Sequence, residues 1–137
     1  FLHSAYIKNR LYRNPETGSF YRAFLTDHYE KINFSDYYIA LADIDLFKRI
    51  NDLYGQKNGD MVISAIMKRV TNVLNRDDIF VQYGGEEFLL LISKKDTSDR
   101  RFRERLEEIR VLIENLNFRI EESKVKLTIS IGAFIES

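Results

Sequence analysis

The sequence has no cysteine, a single proline and no excess of charge of either sign. Without cysteine there can be no disulfide and no metal site built on thiolates, which fits a reducing compartment. The 21 lysines and arginines balance the 21 aspartates and glutamates, so no overall field attracts nucleic acid or a membrane surface. An anionic ligand must therefore be held by a local arrangement of groups.

Long hydrophobic runs and targeting signals are also missing. No apolar stretch approaches the roughly 20 residues that a membrane span needs, and no signal peptide is visible. We therefore expect a cytoplasmic segment that contacts neither a membrane nor nucleic acid. The 137 residues suit one domain. Because the chain begins at Phe1 rather than at methionine, residues 1–13 are interpreted as the end of a linker helix from an upstream sensory or regulatory module, and residues 14–137 as the domain.

The hydrophobic pattern predicts an α+β fold, with helices flanking a central, mostly antiparallel sheet close to the ferredoxin-like arrangement. Helices are expected over 20–32, 46–54, 59–74 and from 96–98 onwards, and strands over 37–44, 78–83, 86–92 and 125–134. The strand over 37–44 is apolar on both faces, which is typical of a central strand covered on both sides. Gly84 and Gly85 predict a two-residue primed turn with positive φ angles. The charged run 100–105 is interpreted as a solvated helix face.

Two aspartates stand at the carboxyl end of the most apolar predicted strand. Asp43 and Asp45 are two residues apart, so both carboxylates project from the same side of a strand. Like charges beside a hydrophobic core repel and lose hydration unless a cation or a cluster of donors compensates. A hard cation such as Mg²⁺, which binds carboxylates and substrate phosphates, would do so. A plainer interpretation stays open: Asp45 caps the following helix and Asp43 is solvated.

Two further acids, Glu86 and Glu87, follow the predicted turn and precede an apolar strand. If this hairpin pairs beside the central strand, Glu86 would meet Asp43 across a groove at the strand ends. Gly84 and Gly85, which have no side chains, would let a phosphate or ribose approach the backbone there. Clustered carboxylates, Mg²⁺ and a phosphate cradle together are typical of phosphoryl or nucleotidyl transfer.

Four segments of the chain form a larger pattern. They read DIDLFKRINDLYG at 43–55, GD at 59–60, YGGEEF at 83–88 and TISIGA at 128–133. In order and spacing they resemble the GGDEF family of bacterial diguanylate cyclases, over roughly residues 14–134. A GGEEF alone would be weak support, whereas four motifs in register are strong. The resemblance implies a nucleotidyl-cyclase-type palm and the condensation of two GTP molecules to cyclic di-GMP and two pyrophosphates.

The resemblance also implies roles for individual residues. Mg²⁺ (or Mn²⁺) would be bound by Asp43, the Ile44 carbonyl and Glu86, while Glu87 would assist the metal or deprotonate the attacking 3′-hydroxyl. The remaining contacts would be with GTP: guanine at Asn51 and Asp60, phosphates at the amides near Phe47 and Lys48, and close backbone approach at Gly84 and Gly85. Each domain would hold one GTP, so two copies would meet as a homodimer.

The sequence departs from the family pattern at both ends. Of the family's opening motif, only Thr17, Gly18 and Arg22 are kept. The sequence also stops before the helix whose lysine and arginine hold the GTP phosphates in the family. We therefore interpret it as a GGDEF domain cut before its C-terminal helix.

The family's inhibitory motif, Arg-x-x-Asp, which binds the product, is degenerate here. Asn75 stands where the family has arginine, while Asp78 is retained. Arg76 would have to substitute from a neighbouring position. The pattern predicts weak product inhibition, because asparagine lacks the charge and the paired donors of a guanidinium.

Two alternatives to cyclic di-GMP synthesis stay open. One is a catalytically degenerate GGDEF module that binds GTP, cyclic di-GMP or a protein partner without turnover, which the altered opening and inhibitory motifs favour. The other is a cyclase that makes a mixed purine dinucleotide. The latter is disfavoured because Asp60 retains a carboxylate suited to the N1–H and N2–H donors of guanine.

Overall fold

The computed structural model describes residues 11–134, and the linker helix expected over residues 1–13 falls almost wholly outside them. The helices are α1 (Arg22–His28), α2 (Phe47–Tyr54), α3 (Gln56–Asn72) and α4 (Asp99–Glu114), and the strands are β1 (Phe20–Tyr21), β2 (Tyr37–Ile44), β3 (Ile79–Gln82), β4 (Glu87–Ser93), β5 (Phe118–Ile120), β6 (Ser123–Val125) and β7 (Ile129–Phe134). Across this described part, no helix has both the length and the apolar character needed to span a membrane.

A five-stranded sheet in the order β1-β3-β4-β2-β7 organises the chain. Only the β1–β3 pair is parallel; the other three pairs are antiparallel. The predicted α+β fold with a mostly antiparallel sheet is therefore confirmed. The predicted strand over 37–44 coincides with β2, which is paired on both sides.

The core lies on one face of the sheet. Ala40, Ala42 and Ile44 of β2 point into it and are buried against α2, α3 and α4. Side chains alternate along a strand, so Ile39 and Leu41 lie on the opposite face, where they are only half-buried. This second face is covered in part, since Val81 and Leu91 are fully buried on it, so the expectation that β2 is covered on both sides is met only partly.

The first predicted helix, over 20–32, begins with a strand instead. Phe20 and Tyr21 form β1 and pair with Val81 and Gln82 at the edge of β3. The helical part, α1, is only seven residues long. The apolar spacing was a poor guide because Phe20 stacks on Phe24 at a ring distance of 4.0 Å, an i,i+4 contact that resembles a helical pair.

The strand expected over 125–134 is interrupted. Val125 ends β6, which pairs with β5 in a separate two-stranded sheet, and β7 starts only at Ile129. Val125, Leu127 and Ile129 are all buried, so the alternating pattern continues although the pairing partner changes. Two residues with positive φ, Glu121 and Glu122, form the turn between β5 and β6.

Candidate active site

Two carboxylates face each other across β2 and β4. Asp43 pairs directly with Glu87 in the antiparallel ladder, and both residues are exposed. Residues opposite each other in such a ladder have Cβ atoms about 4.5–5.5 Å apart, and like charges in this position are destabilising. The strand end therefore carries an unfavourable pair of negative charges, which is the arrangement that a bound cation would stabilise.

The backbone of Ile44 lies at the same strand end. Its N–H donates to the Glu86 carbonyl at 3.2 Å. The N–H and C=O of one strand residue point to the same side, so the Ile44 carbonyl also faces the loop that carries Glu86. The sequence analysis placed Glu86 opposite Asp43, but β4 begins at Glu87 and the ladder places Glu87 there.

The Gly84-Gly85 segment is not a two-residue primed turn. Neither glycine has a positive φ, and the last ladder pair before the loop joins Gln82 to Phe88. Because the first strand ends at Gln82 and the next begins at Glu87, the connection is a four-residue loop, 83–86. The expectation was wrong because glycine permits a left-handed conformation but does not require one.

The loop 83–86 is open beside the acids. The amides of Tyr83 and Gly84 both donate to the Glu87 carbonyl, at 2.9 and 3.1 Å, which closes the loop. A Cβ atom added to Gly84 would lie 3.5 Å from a carboxylate oxygen of Glu87, and one added to Gly85 would meet nothing within 4 Å. A phosphate or ribose therefore has free access to this backbone.

These groups fit Mg²⁺ in its substrate-sharing mode of binding. Within residues 11–134, no cluster of three or more His, Asp or Glu side chains could hold a metal ion. Mg²⁺, however, usually binds one or two carboxylates and completes its octahedron with water and substrate phosphates. The Asp43–Glu87 pair, with the Ile44 carbonyl beside it, suits that mode and does not suit an all-protein cage.

The N-terminus of α2 leaves two amides available. Arg49 donates its N–H to the Leu46 carbonyl at 3.0 Å, whereas the amides of Phe47 and Lys48 have no partner among the described residues. The Phe47 ring is buried and holds this end of the helix in the core, and Lys48 is exposed. Unpaired N–H groups at a helix start are ready to bind an anion.

Asn51 lies in a tight contact between α2 and α3. Its Oδ1 atom is buried and has no hydrogen-bond partner among the described residues. A Cβ atom added to Gly59 would lie only 1.9 Å from this oxygen, so any larger residue at that position would displace the Asn51 amide. An orphaned buried acceptor is uncommon in proteins and could be satisfied by an N–H donor of a bound base.

Asp60, the second residue expected to contact guanine, faces an open groove on α3. It is exposed and lines this groove with Lys57 and Lys68. Consecutive helical residues are turned by about 100° from each other, so the Asp60 side chain leaves α3 in a different direction from the Gly59–Asn51 contact. No hydrogen bond joins Asp60 and Asn51 among the described residues, and the structure does not bring them into one cluster.

One of the retained residues of the opening motif, Arg22, contacts the loop 83–86. Gly18 has φ +80° in a tight turn, and the hydroxyls of Thr17 and Ser19 are buried and hydrogen-bonded at 2.7 Å. From the start of α1, the Arg22 guanidinium stacks on the Tyr83 ring, 4.5 Å from its centre. The motif therefore contacts the first residue of the loop.

Asp78, the retained residue of the inhibitory motif, is buried. Its side chain is 1% exposed and pairs with Arg105 of α4 at 2.7 Å. It also accepts hydrogen bonds from the amides of Asn75 and Ser93, at 2.8 and 2.9 Å. A ligand cannot reach this carboxylate without breaking the ion pair.

Arg105 is the residue that the sequence analysis missed. The run 100–105 was interpreted as solvated, and this is wrong for Arg105, which is 6% exposed. A signal was present: Arg105 stands three residues after Phe102 and four before Ile109, on the buried stripe of α4.

Comparison with known proteins establishes the family. The sequence model described as "Diguanylate cyclase, GGDEF domain" matches residues 19–136. Because the match covers most of the chain, the chain belongs to the GGDEF domain family of diguanylate cyclases, and the resemblance stated from the four motifs is confirmed.

Curated relatives agree with this assignment. "Probable diguanylate cyclase DgcT" of Escherichia coli strain K12 is 34% identical over 134 residues, which cover 93% of this chain and 29% of that protein. "Diguanylate cyclase A" of Treponema denticola is 36% identical over 94 residues, which cover 69% and 25%. The chain therefore spans less than a third of the length of these relatives.

Solved structures share the fold. Diguanylate cyclase SiaD of Pseudomonas aeruginosa, crystallised with its activator SiaC, superposes with a TM-score of 0.79 at 29% identity, covering 96% of this chain and 52% of that one. The coiled coil and GGDEF domain of DgcB from Caulobacter crescentus, in complex with c-di-GMP, gives a TM-score of 0.78 at 23% identity, covering 96% and 73%. At that identity the second likeness concerns the fold alone.

We expect Gly59→Ala to displace Asn51 and to destabilise the contact between α2 and α3. Overpacking of this kind costs about 1–3 kcal/mol, so the unfolding temperature should fall and binding of a fluorescent GTP analogue should weaken. Gly132→Ala is the matched control, because a Cβ atom there meets nothing within 4 Å. Unchanged stability and binding in Gly59→Ala would show that the contact is not needed.

We expect Arg105→Leu to lower the free energy of unfolding by about 3–5 kcal/mol, because Asp78 would be left as a buried charge without a partner. Chemical denaturation measures this effect. Arg100→Leu, on the same helix but with a side chain 91% exposed, should change stability little. The double variant Asp78→Asn, Arg105→Leu should recover part of the loss, and equal losses at positions 100 and 105 would contradict the buried pair.

Proposed function

We propose that this domain condenses two GTP molecules to cyclic di-GMP and two pyrophosphates, with Mg²⁺ (or Mn²⁺) and a second copy of the domain. The observation that carries the proposal is the Asp43–Glu87 pair, two carboxylates held opposite each other at a strand end. The open loop 83–86 and the unpaired amides of α2 lie at the same end of the sheet, where an anionic substrate would be required.

Asp43 binds the metal in this proposal, together with the Ile44 carbonyl and the carboxylates of Glu86 and Glu87. A bound Mg²⁺ neutralises phosphate charge and lowers the pKa of a coordinated hydroxyl. The register favours Glu87 as the partner of Asp43, while the resemblance favours Glu86. Both glutamates stand at the strand end, and both are retained as catalytic candidates.

GTP is held by three groups of contacts. The amides of Phe47 and Lys48 bind the terminal phosphates, since they have no partner within the fold. Asn51 offers a buried acceptor to guanine, and the family resemblance assigns the exposed carboxylate of Asp60 to the same base, although the two side chains share no contact in the ligand-free fold. Gly84 and Gly85 leave the backbone open to the ribose and α-phosphate.

The reaction joins the 3′-oxygen of one GTP to the α-phosphorus of the other. The P–O bond to pyrophosphate breaks, and the proton of the 3′-hydroxyl passes to Glu87. One domain carries groups for only one nucleotide, so the second comes from a facing copy, and two such transfers close the ring. Regulation of this assembly would come from an upstream sensory or regulatory module.

Binding without turnover is the alternative. It would use the same carboxylates and amides to hold GTP with Mg²⁺, or would contact cyclic di-GMP or a protein partner. Assay of cyclic di-GMP formation separates the two, because a module without turnover would bind GTP and Mg²⁺ and release it unchanged. The intact Asp43–Glu87 pair favours a domain that binds a cation with its nucleotide over one that only contacts a protein partner, because two facing carboxylates are unfavourable without a cation.

We expect Asp43→Asn to have opposite effects with and without ligand. Removing one of two facing charges should stabilise the ligand-free protein by about 0.2–1 kcal/mol. The same change should abolish the stabilisation by Mg²⁺ with GTP and the formation of cyclic di-GMP. Thermal unfolding with and without Mg²⁺ and GTP, together with product assay, measures both effects.

Asp52→Asn is the matched control, because Asp52 is an exposed aspartate of α2 outside the proposed site. It should respond to Mg²⁺ and GTP as the wild type does. If Asp43→Asn kept the wild-type response, the metal would not lie at this strand end.

We expect the rate of the active protein to be nearly insensitive to added cyclic di-GMP. Asn75 lacks a guanidinium, and Asp78 is already engaged by Arg105. Asn75→Arg supplies the missing cation but not a free carboxylate, so it should restore inhibition only in part. Initial rates against product concentration test this. Strong inhibition of the wild type that disappears in Arg76→Ala would show that Arg76 has taken over the role.

A further inference from the structure

The segment 128–133 is the one motif of the sequence analysis to which no role is assigned. In the structure its first two polar side chains converge on Asp45. The Thr128 hydroxyl donates to Oδ2 of Asp45 at 2.7 Å, and the Ser130 hydroxyl donates to Oδ1 at 2.6 Å. The Asp45 amide in turn donates to the Thr128 carbonyl at 2.9 Å. We refer to Asp45, Thr128 and Ser130 as the hydroxyl clamp.

The clamp separates the roles of the two aspartates at the end of β2. Both oxygens of Asp45 are engaged by hydroxyl donors, at distances typical of strong bonds to a charged carboxylate. Asp43 has no side-chain donor among the described residues and faces Glu87. Asp45 is therefore compensated within the fold, whereas Asp43 is left to a cation.

Asp45 is also not the helix cap that the plainer interpretation assigned to it. The residue at the cap position of α2 is Leu46, and no side chain caps this helix. The carboxylate of Asp45 points to β7 instead, where the clamp fixes the last residue before the turn from β2 into α2. The amides at the helix start are left unpaired as a result.

Leu46 makes this turn unusual. It has φ +55° and ψ +30°, a left-handed conformation that is unfavourable for a residue with a Cβ atom. Its side chain is 74% exposed, so burial does not compensate. Such a conformation persists only where the surroundings over-determine it. The clamp at Asp45 on one side and the buried ring of Phe47 on the other provide that constraint.

We propose that Asp45 is a positioning residue: held by Thr128 and Ser130, it fixes the left-handed turn at Leu46 and thereby directs the amides of Phe47 and Lys48 at a triphosphate. This inference rests on the proposed function, because it concerns the binding of GTP at that site. Loss of the clamp leaves Asp43 and Glu87 paired in their ladder. It should therefore weaken binding of the phosphates and leave metal binding and proton transfer at these two residues unchanged.

The test compares two variants that differ in hydroxyl donors. Thr128→Val with Ser130→Ala removes both donors and keeps a strand-compatible shape, whereas Thr128→Ser retains the hydroxyl. For the double variant we expect KM for GTP to rise by about tenfold or more, with a much smaller change in kcat. The reason is that the two hydrogen bonds to the charged Asp45 are lost, so the amides of Phe47 and Lys48 are no longer directed at the phosphates. Thr128→Ser should keep KM near the wild-type value.

A third substitution distinguishes the turn from general loosening. Asparagine adopts the left-handed conformation more readily than leucine, so Leu46→Asn added to the double variant should lower KM again. A purely structural loss would not be repaired at an exposed position that contributes no packing. An equal fall in kcat and no rescue by Leu46→Asn would overturn the proposal.

A readout without nucleotide keeps the two proposals separable. In NMR spectra of the ligand-free protein, the amide signals of residues 46–48 should move in the double variant and stay in place in Thr128→Ser. Unmoved signals would overturn the positioning role whatever the enzyme does. A wild type that binds no GTP would instead contradict the proposed function, while the amide signals would still decide whether the clamp sets the turn.

Discussion

The register of β2 between β4 and β7 sets the arrangement of the acids in the candidate site. In this register Asp43 lies opposite Glu87 on one side and Ser130 on the other. Because side chains alternate, a slip by one residue would turn Asp43 into the core and Ile44 into solvent. The buried face of β2 excludes that slip, since Ala40, Ala42 and Ile44 fit only against the helices. The hydrophobic core thus fixes the position of the acids, although it touches none of them.

The two aspartates of β2 show how neighbouring like charges can serve different purposes. Asp45 accepts hydrogen bonds from two hydroxyl donors within the fold. Asp43 keeps its charge facing another carboxylate. In the proposed function Asp43 and Glu87 would therefore be the acids that hold a cation, since the hydroxyls of β7 already engage Asp45.

How far the sequence predicts this structure depends on whether the deciding interaction is local. The bounds of β2 were predicted correctly, because a short apolar run that ends in acids is typical of a buried strand. The break before β7 was not predictable, since Val125 and Leu127 stay buried while the pairing partner changes.

Only the ladder shows that β4 starts at Glu87, and hence which glutamate faces Asp43. In the hydroxyl clamp, Thr128 and Ser130 follow Asp45 by 83 and 85 positions in the sequence. A separation of that length leaves no sign in the local sequence pattern. The family resemblance supplied the residues of the site, and the register supplied their arrangement.

Burial of Asp78 has a consequence for how the domain is controlled. A carboxylate that binds a regulatory ligand must be stable both with and without it, which requires solvent or a readily exchanged partner. The side chain of Asp78 is 1% exposed and already accepts hydrogen bonds from Arg105 and two amides in the ligand-free fold. If a ligand drew the Asp78 carboxylate out of this pair, the buried guanidinium of Arg105 would lose its partner. The buried ion pair of Asp78 therefore opposes its use as a product sensor, in the same direction as the loss of the arginine at position 75.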